Sequence, residues 1–254
     1  MSFARIPTMF STRSGSLALT TALLLFVGPV SAAPGLKHLE ISPKNARALD
    51  RLANYPDLEV LTISCLEDLK ALPDSIGKLT KLKELVSDNG NGCVMNPVLP
   101  ESMGNLQSLE KLVLFGAQDT YGPGAQTRQH HPFPQSMSRL QNLTYLDLGR
   151  NGLEEIPGFV KDLPKLKEFR FAWNPKLKEV PAFLANLKEL TALDLQSDGL
   201  SDLPDFLATM PRLTRVALGG NCKITASAAK KRDLKRRFPK IVFDFQNEYD
   251  CPSK

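Results

Sequence analysis

Leu143, Leu146, Leu148, Asn151, Leu153, Ile156 and Pro157 fit the frame LxxLxLxxNxLxxLP, and the frame recurs along the chain. It returns at Leu166, Phe169, Phe171, Asn174, Leu177 and Val180-Pro181, at Leu190, Leu193, Leu195, Asp198, Leu200 and Leu203-Pro204, and at Leu213, Val216, Leu218 and Asn221. Upstream it appears at Leu58, Leu61 and Ile63, at Leu82 and Leu85, and at Leu109, Leu112 and Leu114, with a degenerate copy at Leu36, Leu39 and Ile41. The starts 36, 58, 82, 109, 143, 166, 190 and 213 are separated by 22, 24, 27, 34, 23, 24 and 23 residues. A unit this short cannot bury its own apolar edge, so copies must stack, each stabilised by its neighbours. That rules out both one large globule and two small ones.

Between these frames lie Ser75 to Leu79, Ser102 to Leu106, Ser136 to Leu140, Phe159 to Leu163 and Phe183 to Leu187. With them, the chain resembles the leucine-rich repeat family in its LPxxLxxLxxL subtype, found in bacterial repeat proteins and plant Ras-group-type intracellular ones. The resemblance covers residues 36 to about 225; the GxIP pattern of plant extracellular members is missing. It implies an α/β fold: a right-handed solenoid of about eight repeats, with a parallel sheet on the concave face. In the LxL segments side chains alternate, leucines inward and their neighbours outward. Asn151, Asn174 and Asn221, with Asp198 standing in for a fourth, are assigned to the turn where a side-chain amide satisfies backbone groups of adjacent coils. Leu36 to Leu52 reads as an N-terminal capping repeat. At the other end Thr225 is expected to N-cap a helix from Ala226 to Phe238, followed by a closing strand, Ile241 to Phe245.

The N-terminus reads as an export signal. Arg5 and Arg13 precede the apolar run Leu17 to Val27, and Val30-Ser31-Ala32 supplies small residues before a cleavage expected ahead of Ala33. No cysteine follows that site to take a lipid. The expected organisation is therefore a signal over 1–32, a capping repeat over 33–57, repeats over 58–225 and a cap over 226–254, exported to a periplasm or the cell exterior and without a transmembrane segment in the mature chain. Removing the signal takes away two arginines and reduces the net charge from +5 to +3, too little for a dedicated nucleic-acid binder.

All four cysteines lie beyond the signal, which suggests two disulfides. Cys65 and Cys222 sit six copies apart, roughly 29 Å at about 4.8 Å per strand, whereas a disulfide needs Cα atoms within about 7 Å. An extended solenoid therefore permits Cys65–Cys93 and Cys222–Cys251. Asp88 to Pro97 and Gly116 to Pro132 are insertions, the second a candidate specificity loop. Adjacent His130 and His131 have no acidic or cysteine partner at ligand spacing, so no metal site is expected. Asn142-Leu143-Thr144 matches a glycosylation sequon, and Lys230 to Arg237 with Lys240 is the densest run of charge.

The outward positions give Lys111, Val113 and Phe115; Tyr145, Asp147 and Arg150; Glu168, Arg170 and Trp173; Asp194 and Gln196; Arg215 and Ala217. Aromatic residues and arginine on one face have the composition of protein-binding hot spots. Lys111, Phe115, Tyr145, Asp147, Arg150, Arg170, Trp173, Asp194 and Arg215 are the candidate contact residues. Asp147, Arg170 and Asp194 share a column, which suggests a charge ladder. No Gly-rich phosphate loop, Ser/His/Asp grouping or paired-cysteine motif is present, so neither catalysis nor a cofactor is expected. The reading is a monomeric, non-catalytic module that binds a protein, or less readily a polysaccharide, on its concave face. The alternative is an envelope-associated protein whose basic cap meets anionic lipid or polysaccharide.

Overall fold

The computed structural model describes residues 35–66, 69–88, 97–116, 131–246 and 251. The expected signal, most of both insertions, Cys93 and His130 lie outside these residues. In chain order the strands are β1 (His38–Ile41), β2 (Val60–Ile63), β3 (Glu84–Asp88), β4 (Lys111–Phe115), β5 (Tyr145–Asp147), β6 (Glu168–Arg170), β7 (Ala192–Asp194), β8 (Arg215–Ala217) and β9 (Val242–Asp244). They form one sheet in sequence order, every neighbouring pair parallel, so eight frames and a closing strand make a leucine-rich repeat solenoid.

Strand register follows the frame residue for residue. Leu39, Leu61, Leu85, Leu112, Leu146, Phe169, Leu193, Val216 and Phe243 form one inward column, and those from Leu61 to Val216 are buried. After each of β2 to β7 the chain returns along the opposite side through a short 3-10 helix, at Asp74–Lys78, Glu101–Asn105, Gln135–Arg139, Gly158–Asp162, Ala182–Asn186 and Asp205–Thr209. Each of these six begins at a proline, Pro73, Pro100, Pro134, Pro157, Pro181 or Pro204, whose ring presets the backbone φ while its carbonyl accepts the first N–H of the turn. The mid-turn residue, Ile76, Met103, Met137, Val160, Leu184 or Leu207, is buried beneath it. Turns stack closely enough that a Cβ on Gly104 would stand 2.3 Å from the Ser136 carbonyl oxygen, so glycine is required there.

Coils are tied by a buried side-chain ladder. Asn151 Nδ2 donates to the carbonyls of Leu114 (2.8 Å) and Leu148 (2.9 Å). Asn221 Nδ2 donates to those of Leu195 (2.6 Å) and Leu218 (2.9 Å). Asn174 Nδ2 donates to the carbonyls of Leu148 and Phe171, while its Oδ1 accepts from the N–H groups of Asn151 and Leu153 one coil earlier. Asp198 occupies the fourth position. Its Oδ1 accepts from Asn174 N at 2.8 Å, yet Oδ2 is buried without a hydrogen-bond partner, where an amide would donate.

The C-terminal cap departs from expectation. The helix is split into α1 (Cys222–Thr225) and α2 (Ala228–Arg237), and Ser227, not Thr225, caps α2 by accepting from Lys230 N at 3.3 Å. Thr225 ends α1 instead, its hydroxyl donating to the Asn221 carbonyl at 3.2 Å, because the ladder residue Asn221 already fixes where the first turn starts. Leu234 and Phe238 face inward, and Phe238 meets Phe243 edge-on at 6.0 Å. Cys222 and Cys251 form a disulfide with Cα atoms 5.2 Å apart. Cys65 is likewise disulfide-bonded, and its expected partner Cys93 lies outside the described residues.

Burial holds the Asp198 carboxyl well above the usual range. The folded chain therefore keeps that proton at pH values where an unfolded aspartate, with a pKa near about 3.9, has released it, and stability falls as pH rises above that value. Asp198→Asn supplies a donor that does not depend on holding a proton. It should raise stability at neutral pH by about 1–3 kcal/mol and flatten this part of the pH dependence, measured by urea unfolding from pH 4 to 8.

Candidate functional site: the concave sheet face

Two outward columns make up the concave face. The first runs His38, Val60, Glu84, Lys111, Tyr145, Glu168, Ala192, Arg215, Val242, and the central one Glu40, Thr62, Val86, Val113, Asp147, Arg170, Asp194, Ala217, Asp244. The central column changes character midway, from the apolar or neutral Thr62, Val86 and Val113 to the charged Asp147, Arg170 and Asp194. The ladder of charge expected from the sequence is thus a real juxtaposition of neighbouring strands.

Tyr145 is the hub of the first column. The Lys111 ammonium lies 5.9 Å and the Arg170 guanidinium 5.5 Å from its ring centroid, distances at which the ring quadrupole attracts both cations. Lys111 also pairs with Glu84 at 3.1 Å, and Arg215 reaches Glu168 at 3.9 Å across Ala192. Burial pushes the Tyr145 hydroxyl well up, with Asp147 adding to the effect, so it stays protonated as a donor. Phe115 ends β4, and its ring lies against Gly149, where an added Cβ would be 3.0 Å from the ring carbons.

The aspartates do local work that the frame alone does not reveal. Asp147 Oδ1 accepts from Gly149 N at 2.9 Å, Asp194 Oδ1 from Gln196 N at 3.1 Å, and Asp244 Oδ1 from Gln246 N at 2.9 Å. Each carboxylate closes a turn on the residue two positions on, as the chain leaves the sheet. The sequence signal was the recurrence of Asp at one frame position, and a charge-pairing interpretation concealed it. Asp147 and Asp194 are buried, and desolvation raises the Asp194 carboxyl to about 6 against the opposing pull of Gln196 N–H and Arg170.

Arg150 and Trp173 stand in neither column. They lie one residue beyond Gly149 and Ala172, in a left-handed backbone conformation with φ of 59° and 66°. Cys65, Gly116, Ser197 and Gly220 hold the same position with φ of 54°, 63°, 56° and 75°. The left-handed residue swings the chain so that the next one, Asn151, Asn174, Asp198 or Asn221, points into the ladder. For a residue with a Cβ this conformation costs about 1–2 kcal/mol. Trp173, the one tryptophan in the chain, is 41% exposed there and projects at the rim of the face.

Among the described residues no cluster of His, Cys, Asp or Glu could hold a metal ion, and no helix is long and apolar enough to cross a membrane. The 116–132 insertion follows β4 directly, but residues 117–130 lie outside the described residues.

No protein-family model and no curated protein matches the chain. Solved structures similar to it include a leucine-rich repeat protein of Leptospira interrogans, with 24% identity and a TM-score of 0.45 over 77% of this chain and 57% of that one. Internalin C2 of Listeria monocytogenes has 22% identity and a TM-score of 0.49, over 74% and 68% of the two chains. An internalin (inlF) of the same species has 20% identity and a TM-score of 0.44, over 67% and 50%. The chain thus spans little more than half the length of the Leptospira protein and half that of inlF. The fold is established by the register and ladder described above.

Because the Gln196 amide donates to Asp194, its shift reports on that carboxyl. The Gln196 amide resonance should titrate with a midpoint near pH 6, and Asp194→Asn should abolish the step, as followed by two-dimensional NMR between pH 4.5 and 8.

Proposed function

We propose that this chain is an exported, monomeric, non-catalytic recognition module that binds a protein partner on its concave face, around Tyr145, Arg170 and Trp173. Lys111, Phe115, Asp147, Arg150, Asp194 and Arg215 form the surround. The signal-like sequence of residues 1–32 supports export, and a disulfide at the C-terminal end is consistent with an oxidising destination. Asn151, Asn174, Asp198 and Asn221 hold the scaffold.

Trp173 carries the reading. A large apolar side chain stands 41% exposed at a left-handed position that glycine fills in two other coils. The ladder requires the left-handed backbone at this position but not an exposed indole on it, and large exposed aromatic side chains mark binding surfaces. Tyr145 and Arg170, within cation–π distance of one another, lie in the neighbouring columns and supply the remaining aromatic and guanidinium character typical of interface anchors.

Trp173→Gly separates stability from binding. Glycine relieves the left-handed strain, so thermal stability should hold or rise, while affinity for a partner captured from the exported fraction falls at least about tenfold. The triple variant Tyr145→Ala, Arg170→Ala, Trp173→Ala should lose at least about a hundredfold with the circular dichroism spectrum unchanged. Unchanged capture by the triple variant would remove the concave face as the binding site.

A further inference from the structure

Residues 222–254 carry nine of the Lys and Arg residues against four Asp and Glu, which accounts for the chain's entire net charge of +5. The solenoid body has no net excess of cations, and the positive charge is gathered at one end of the stack. Within α2 these cations divide into two groups. Arg237 points back onto the last full coil, where it pairs with Asp202 at 2.8 Å and Asp205 at 2.7 Å and donates to the Leu203 carbonyl at 2.6 Å. Lys230 donates to the Ser201 carbonyl. These two side chains dock the helix.

Arg232 and Arg236 are one turn apart on the exposed side of α2, about 6 Å at about 1.5 Å per residue, and Lys240 is exposed in the turn just past the helix end. The Arg236 side chain is 80% exposed, and its one carboxylate contact, Asp233, is shared with Arg237. Among the described residues no carboxylate pairs with Arg232 or Lys240. Beside these residues Lys231 and Lys235 stand 5.8 Å and 6.0 Å from the ring centroid of Phe245, which stacks on Phe243. A cationic patch flanked by lysines over an aromatic ring suits a flat, anionic, partly apolar surface, where phosphate groups meet the cations and the ring sits at headgroup depth.

We infer that the exposed face of α2, through Arg232, Lys235, Arg236 and Lys240, attaches this protein end-on to an anionic phospholipid bilayer. The sheet's concave columns run along the stack rather than across its end, so attachment leaves them open. This site is separate from the concave face, and either can fail without the other.

The test is co-sedimentation of the full chain with vesicles of 3:1 phosphatidylcholine to phosphatidylglycerol. Pure phosphatidylcholine vesicles remove any contribution from the apolar N-terminal run. Binding should require phosphatidylglycerol and weaken steeply between 50 and 300 mM NaCl. Arg232→Gln, Arg236→Gln and Lys240→Gln together should lower partitioning by about a hundredfold, at about fivefold per cation. Replacement of the exposed Lys78, Lys161 and Lys178 on the solenoid body by Gln should leave it unchanged. Equal binding to both vesicle types, or equal loss from the two triple variants, would overturn the proposal. So would a single-stranded oligonucleotide that displaces the chain from vesicles at micromolar concentration, which would assign the patch to nucleic acid.

Discussion

The amide side chains of Asn151, Asn174 and Asn221 determine what the rest of this solenoid can be. Each sits at zero exposure and bonds backbone groups of its own coil and of a neighbouring one, where no water is available to serve instead. Turning the residue inward forces the one before it into the left-handed conformation, and this sets the position of Arg150, Trp173 and Ser197 at the rim. Core packing by leucine would be satisfied by several registers. The ladder, by requiring particular carbonyls, accepts one. Asp198 shows how strict the requirement is, since the loss of one N–H pair leaves an oxygen with nothing to bond.

On the concave side the same carboxylates have two roles. Asp147, Asp194 and Asp244 close the turns at the ends of their strands, and that duty places them in the central column with Arg170, whose guanidinium lies near the Tyr145 ring. The charge pattern of the face is therefore partly a by-product of chain turning. Trp173 has no such structural employment, and for this reason it weighs more than the charged residues in the functional reading. At the far end, docking of α2 uses Arg237 against two aspartates of the preceding coil, and the remaining cations are left on the outer surface.

Much of this was legible in the sequence because a stack of coils is nearly one-dimensional. Frame position alone fixes which residues point inward, which strands are neighbours, and that Cys222 pairs locally with Cys251. The candidate contacts Tyr145, Asp147, Arg170 and Asp194 came from counting positions, and the register brings them together as counted. What counting could not supply were features that depend on backbone conformation or on distant partners. Arg150 and Trp173 lie three residues past the ends of β5 and β6, where strand alternation no longer sets side-chain direction because the chain turns left-handed.

The sequence by itself determined the number and order of coils, their inward faces and the amide ladder, since each follows from local side-chain alternation repeated at a fixed period. Only the tertiary structure decided how the ends and the surface are used. The split of the cap into α1 and α2 depends on Asn221 being held by the previous coil. The division of the basic run into docking and exposed cations depends on Asp202 and Asp205, more than thirty residues upstream of Arg237, arriving beneath it. The physical reason is the same in both cases: periodicity encodes contacts within and between identical units, whereas a cap is an unrepeated contact whose partner is chosen by where the stack ends.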